Sequence, residues 1–227
     1  MLRPPRRLAA AATAIALIVA PAPAPAGADD TAASTSTSAA LTTLDTIPVK
    51  GRAPKTGYSR SQFGQAWSDD VSVEFGHNGC STREDILRRD LVNITFKPNT
   101  RDCVVAAGIL NDPYTGQTIN FTRGEKTSEE VQIDHVVSLS NAWQTGAQSW
   151  DAAKRRDFAN DPRNLQATYG PANQAKADGD AATWLPPNRA FRCTFVSRMI
   201  LVKALYGLWV TPPERDAMVR VLSNCAA

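Results

Sequence analysis

The sequence predicts an α+β fold in a single domain, and three observations predict it. Short β-branched runs, such as residues 92–96 and 131–137, alternate with segments of helical apolar spacing. Turn and cap signals separate these segments, the strongest being Asn111-Asp112-Pro113-Tyr114-Thr115-Gly116. The 227 residues, 43% hydrophobic and 21% charged, suit one globular domain with appendages.

Taken in order, residues 1–28 read as a secretory signal peptide. Arg3, Arg6 and Arg7 form a basic start, residues 8–20 an apolar run, and Ala24-Pro25-Ala26 and Ala26-Gly27-Ala28 offer small-residue cleavage points. The apolar run falls short of the about 20 residues that span a bilayer, which disfavours an uncleaved anchor. Arg6-Arg7 also permits a twin-arginine route. Residues 29–50 are rich in Ala, Ser and Thr and read as a flexible linker. Residues 51–227 are the expected folded domain.

Within it, Ser81-Thr82-Arg83-Glu84 has capping-box spacing ahead of Ile86, Leu87 and Leu91, which predicts a helix. Residues 92–96, 103–110 and 118–121 read as strands, the last two forming a hairpin across the Asn111–Gly116 turn. Residues 131–137 form a further strand, 151–158 a helix, 164–169 a short strand, and 171–177 a short helix with an early proline. Residues 189–206 carry Val196, Ile200, Val202 and Leu205 on one helical side. Thr211-Pro212-Pro213-Glu214 opens the final helix with a cap and a proline. The β-hairpin region thus lies early in the domain and the long helices at its C-terminus.

Charge gives little help with partners. The chain is formally +3, with 25 basic and 22 acidic residues. Residues 1–28 hold three of the arginines and no acid, so a processed chain has 22 of each sign. Any grip on phosphate must then come from a local patch or a metal.

Cys80, Cys103, Cys193 and Cys225 remain, an even count that in an exported chain predicts two disulfides. Three pairings are possible. Cys80–Cys103 with Cys193–Cys225 is favoured, since each pair brackets one compact stretch. A zinc site of four thiolates is disfavoured by the lack of any Cys-x-x-Cys pair.

The residues suited to chemistry are Asp134-His135 on a strand, Asn164 opening the next strand, and Asn173 and Lys176 one turn apart on the following helix. An imidazole of near-neutral pKa can take a proton from water. A carboxylate and an amide oxygen are hard ligands that suit Mg²⁺ or Mn²⁺. That set suits hydrolysis of a phosphodiester. Asp134 and His135 are neighbours, so on a regular strand they point to opposite faces. If both serve one site, the strand must end, twist or bulge there.

This segment resembles the ββα-metal motif of the HNH (His-Me finger) endonucleases. It is most similar to the branch at the C-terminus of GmrSD-type restriction enzymes, to which many small secreted bacterial proteins are related. Tyr58-Ser59-Arg60, Asn78-Gly79-Cys80, Asp102-Cys103-Val104, Asp112-Pro113-Tyr114, Trp184-Leu185-Pro186-Pro187 and Phe191-Arg192-Cys193 also follow that pattern. The resemblance implies that Asp134 and Asn173 hold a divalent metal and that His135 is the general base. It implies that Asn164 orients the histidine and holds the loop, and that Lys176 contacts phosphate. Many HNH enzymes have His where this chain has Asn173, a difference that favours Mg²⁺, or Mn²⁺, over Zn²⁺. Cleavage would leave 5′-phosphate and 3′-hydroxyl ends.

Other residues have plainer readings. His77 reads as a solvated turn residue, and Arg83, Glu84, Arg88 and Arg89 as a solvated helix face. Lys154 and Arg155, with Arg156, form the densest basic run, suited to guiding nucleic acid or to simple solvation. The five tryptophans read as core, with Trp143 and Trp150 as the exceptions to examine. The expected protein is a secreted monomer, without a membrane segment once processed, acting on DNA and, as a second substrate, RNA. No sequence-reading motif is visible, so little specificity is expected. The alternatives are an inactive HNH-fold module that binds nucleic acid or an envelope component, and a cell-wall hydrolase. No Ser-His-Asp, His-Glu-x-x-His or paired-carboxylate signature supports the latter.

Overall fold

The computed structural model describes residues 28–124 and 127–225. The signal peptide expected over residues 1–28 therefore lies, but for its last position, outside the described residues. The chain runs through α1 (Ala28–Thr46), α2 (Thr82–Asp90), β1 (Leu91–Phe96), β2 (Val105–Asn111), β3 (Thr118–Thr122) and β4 (Val131–His135). It continues through α3 (Leu139–Gln144), α4 (Ala152–Asn160), β5 (Leu165–Tyr169), α5 (Gly170–Lys176), α6 (Arg192–Tyr206) and α7 (Pro212–Ser223). Strands β1, β2 and β3 form an antiparallel three-stranded sheet, and β4 and β5 an antiparallel pair. The fold is α+β with the expected hairpin and C-terminal helices.

Two apolar clusters hold it together. One, around Ile86, Leu87, Val105, Phe121 and Leu165, fills the space between α2 and the two sheets. The other joins α1, α3, α4, α6 and α7 and includes Leu44, Phe158, Phe195, Met199 and Met218. The disulfides are Cys80–Cys103, which ties the loop before α2 to the start of β2, and Cys193–Cys225, which ties α6 to the chain's end. Each closes a loop and contributes about 2–4 kcal/mol in the chain-entropy view.

Several expectations are corrected. The linker expected over residues 29–50 is instead mostly helix α1. Ala40, Leu44 and Ile47 lie at helical spacing and are buried in the helical cluster. The hydroxyls of Thr42 and Thr43 donate to the carbonyls four residues back, so they do not compete with the helix from outside. Helix α2 forms where expected, but its capping box does not. Ser81 makes no side-chain cap bond. Glu84 is drawn away to the Arg123 guanidinium at 2.6 Å and to the Val105 amide at 2.9 Å. The capping box of α7, between Thr211 and Glu214, is present.

The face of α2 read as solvated is in part a brace. Arg83 donates to the carbonyl of Val131, and Arg89 to those of Pro162 and Leu165. The Asp90 carboxylate accepts from the Ala167 amide at 2.7 Å. Helix α2 thus grips both strands of the β4–β5 pair from outside. On α6, Leu205 is exposed, and Phe195, Met199 and Tyr206 complete the buried side. A fully buried Lys203 joins α6 to α3 through Asn141 and to α7 through Glu214. Burial pushes Lys203 down and Glu214 up, and their mutual attraction opposes both shifts.

Helix α1 is the least obvious element, so it supplies the test. Leu44→Ala is expected to cost about 2–5 kcal/mol, the usual range for emptying a buried leucine site. Urea denaturation reads this as a lowered midpoint. An unchanged midpoint would mean that α1 does not pack on the domain.

Candidate active site

Strand β4 ends at His135, and this ending resolves the demand that adjacent residues share a site. The β4–β5 register is regular through His135↔Leu165. Gln132 and Asp134 point to one face and His135 to the other. Because the strand stops there, a cleft of about 320 Å³ opens at its end and is lined by Gln132, Asp134, His135 and Asn173 together. Helix α5 follows β5 directly. A Cβ on Gly170 would lie 2.2 Å from the Glu129 carbonyl oxygen, so only glycine lets the helix turn back this tightly.

Asp134 is buried, and two donors hold it. The Tyr114 hydroxyl donates to Oδ2 at 2.6 Å, and the Lys176 ammonium to Oδ1 at 3.0 Å. Lys176 also donates to the His135 carbonyl at 2.8 Å. Burial pushes the Asp134 carboxyl above its usual range, while Lys176 and Tyr114 pull it back. Tyr114 is itself raised far above an ordinary phenol by burial and the neighbouring carboxylate. This corrects the expectation for Lys176. Its side chain has no exposed surface and its bonds go to protein oxygens, so it is a counter-ion inside the fold and does not face an open phosphate site.

His135 is also buried. Its Nε2 lies 2.8 Å from the Ala159 carbonyl oxygen at the end of α4. A carbonyl can only accept, so Nε2 carries the proton and Nδ1 is the basic nitrogen. Trp67 stacks on the ring at 5.9 Å and 16°. Burial, with smaller contributions from Arg60 and Lys176, lowers the imidazole to about 3, against the Ala159 bond that raises it. The ring is neutral near pH 7.

Asn164 has no exposed surface. Its Oδ1 accepts from the Val137 amide at 2.8 Å and its Nδ2 donates to the Val137 carbonyl at 3.2 Å. Its own carbonyl accepts from the Val136 amide at 2.7 Å. The side chain therefore acts as one more rung of the β4–β5 ladder, just past His135. It also donates to the Phe158 carbonyl at 3.5 Å, beside the Ala159 carbonyl that holds the imidazole. Among the described residues Asn164 makes no direct bond to His135; its side chain holds the chain at Val137 and Phe158.

Asn173, on α5, donates its Nδ2 to Gln132 Oε1 at 2.9 Å. That bond fixes the amide and turns Oδ1 into a free hard acceptor in the cleft. With one carboxylate and one amide oxygen, the donor set fits a hard divalent cation. Among the described residues there is no cluster of three or more His, Cys, Asp or Glu that could hold a metal ion.

The expected basic guides, Lys154 and Arg155, line neither the cleft nor the cavity beside it. Arg155 donates to the backbone carbonyls of Gln62, Ala147 and Trp150, and Lys154 sits over the Trp150 ring. Their work is bracing. Trp143 and Trp150 are core, packed against Phe63, Phe158 and Tyr206. His77 is an exposed turn residue with φ 60°, as read from sequence.

Sequence reasoning gave no role to Trp67, Tyr114, Gln132 or Arg60. Gln132 was accessible to it, since it lies two residues before Asp134 on the same face. Tyr114 sat in a segment read as a turn and as part of the family pattern, with no role of its own. Arg60 lines the cleft and, among the described residues, its guanidinium has no hydrogen bond or ion pair, whereas Lys55 nearby is tied to Asp178.

A family model described as the C-terminal domain of GmrSD restriction endonucleases matches residues 81–221. A protein of Arthroderma benhamiae described as an uncharacterized secreted protein is 37% identical over 190 residues, 83% of this chain and 85% of its own length. No solved structure matches.

The buried pair gives a direct test. Lys176→Met strands the Asp134 carboxylate and is expected to cost about 3–5 kcal/mol. The double change Asp134→Asn with Lys176→Met leaves no stranded charge and should be milder than Lys176→Met alone. Thermal denaturation compares the two. Equal stability of wild type and Lys176→Met would show that the pair is not formed.

Proposed function

The chain belongs to the family of GmrSD restriction endonuclease C-terminal domains, and from that premise we propose that it is an exported, metal-dependent HNH-type endonuclease. It hydrolyses phosphodiester bonds of DNA, with RNA as a second substrate and little sequence specificity. The observation that carries this reading is the setting of His135. Its Nε2 is committed to the Ala159 carbonyl, which leaves Nδ1 as the unprotonated nitrogen of a neutral ring, and the residue lines a cleft with Asp134 and Asn173.

His135 takes a proton from a water molecule at Nδ1. That oxygen attacks the phosphorus, the bond to the 3′ oxygen breaks, and the departing oxygen takes a proton from solvent. The products are 5′-phosphate and 3′-hydroxyl ends. Asp134 and Asn173 would hold the divalent ion, Mg²⁺ first and Mn²⁺ next, which stabilises negative charge on the phosphate and on the leaving oxygen. Asn164 and the end of α4 keep the imidazole in its tautomer. Trp67 fixes the plane of the ring. Gln132 orients Asn173.

Export is supported by the leader-like start, with Arg3, Arg6 and Arg7 before an apolar run. The two disulfides and the secreted relative agree with it. No helix among the described residues is long and apolar enough to cross a membrane.

Purified residues 28–227, prepared under oxidising conditions, should nick plasmid DNA with Mg²⁺ or Mn²⁺ and stop in EDTA. His135→Ala should lower the rate by about 10²–10⁴, the usual worth of a general base. His77→Ala should leave it unchanged. Inertness toward DNA and RNA with every divalent ion would sink the nuclease reading. Loss of cleavage in His77→Ala would move the site elsewhere. Asn173→Ala should raise the Mg²⁺ concentration needed for half-maximal rate, and an unaltered requirement would remove Asn173 from the ion site.

A further inference from the structure

A second cavity, of about 240 Å³, lies beside the cleft, and His135 and Arg60 line both. Its walls are mainly apolar: Phe63, Trp67, Leu139 and Ala159. The hydrolysis itself gives no reason for such a pocket. Phosphate, water and ion are all polar, and the polar cleft already provides for them. The pocket has one notable polar feature. Asn160 lines it with no exposed surface, donates Nδ2 to the Arg156 carbonyl, and leaves Oδ1 without a hydrogen bond. That oxygen is closed to solvent even beside the cavity, so Asn160 serves as wall. Arg60, which lines both the pocket and the cleft, has a guanidinium with no protein acceptor among the described residues.

A flat aromatic wall, an apolar interior and a free guanidinium match the parts of a nucleotide. We propose that this cavity is a subsite for one unstacked nucleobase of a DNA strand, next to the scissile phosphate, with Arg60 on that nucleotide's phosphate. The inference rests on the nuclease reading and deepens it, because it sets the substrate class. A base in a duplex is stacked on both faces and paired along its edge. It must leave the helix to enter a pocket, whereas a single strand loses far less in doing so. The enzyme therefore prefers single-stranded DNA.

The test uses a labelled single strand made of phosphorothioate linkages except for one ordinary phosphodiester, which fixes the cut. A series of such strands carries an abasic residue at successive positions around the cut. One position next to it should lose at least about fivefold in kcat/KM, the worth of one base–aromatic contact, and the others should change little. The matching duplex should be cut at least about tenfold more slowly, which is one or two such contacts. Ser61→Trp, an exposed change at the cavity wall away from the cleft, should flatten the abasic profile. Fluorescence anisotropy in EDTA supplies a second readout. The intact strand should bind more tightly than the strand lacking the critical base. A flat abasic profile in wild type, or equal cutting of single strand and duplex, overturns the proposal. If nothing is cleaved at all, the nuclease reading has failed, and the binding comparison still decides the pocket: equal affinities for intact and abasic strands overturn it.

Discussion

A carboxylate buried at the heart of a domain must have a cation and donors, or it will not stay charged or stay buried. Asp134 meets this condition through Lys176 and Tyr114, and much of the surrounding architecture follows from it. Lys176 ends α5, so α5 must lie against β4. That position demands the tight turn at Gly170, where even a methyl group would collide with the Glu129 carbonyl. The same helix carries Asn173 to Gln132. Tyr114 comes from the β2–β3 turn, where Asp112 accepts from the Thr168 hydroxyl and the Tyr169 amide of β5. One ion pair therefore fixes the mutual placement of the hairpin turn, the strand pair and the short helix.

The second constraint acts on the other face of β4. The chain between β4 and β5 makes two helices, and the end of α4 supplies the carbonyl that selects the histidine tautomer. Asn164 closes this excursion. By copying the bonding of a peptide unit toward Val137, it lets the strand pair end at His135 without leaving backbone groups unpaired. The cost of an interrupted ladder is offset, and a cleft opens where a continuous sheet would have been closed. Arg83, Arg89 and Asp90 of α2 clamp the strand pair from outside, so the strands have little freedom to close that opening.

How much of this could be read from the sequence divides along physical lines. Strands β1 to β5 and helices α2, α4, α5, α6 and α7 announce themselves through local period, caps and turns, and of the three possible disulfide pairings the one favoured by chain spacing is present. Asp134, His135, Asn164 and Asn173 were recognisable as a set, and the structure brings Asp134, His135 and Asn173 to one cleft. Helix α1 was hidden because its apolar positions are few among Ser, Thr and Ala, and only packing on α6 and α7 makes it a helix worth forming. The cap at Ser81 failed because Glu84 had a stronger partner, Arg123, thirty-nine residues away in sequence. Lys176 looked free for the same reason: its partner lies on another element. Trp67 was invisible as a site residue, since nothing local to it points toward His135.

These reassignments change the electrostatic picture of the cleft. Lys176, Lys203, Arg89, Arg123 and Arg155 all spend their donors on protein oxygens. With Lys55 held by Asp178, Arg60 is the cation of the cleft wall that has no internal partner among the described residues. With those five basic side chains turned inward, a processed chain holding 22 basic and 22 acidic residues would have little long-range pull on a polyanion. Under the proposed function, attraction for phosphate would concentrate at one guanidinium and at the oxygens of Asp134 and Asn173, which would attract phosphate only through a bound cation. Local geometry, not a basic surface, would then decide where a strand settles.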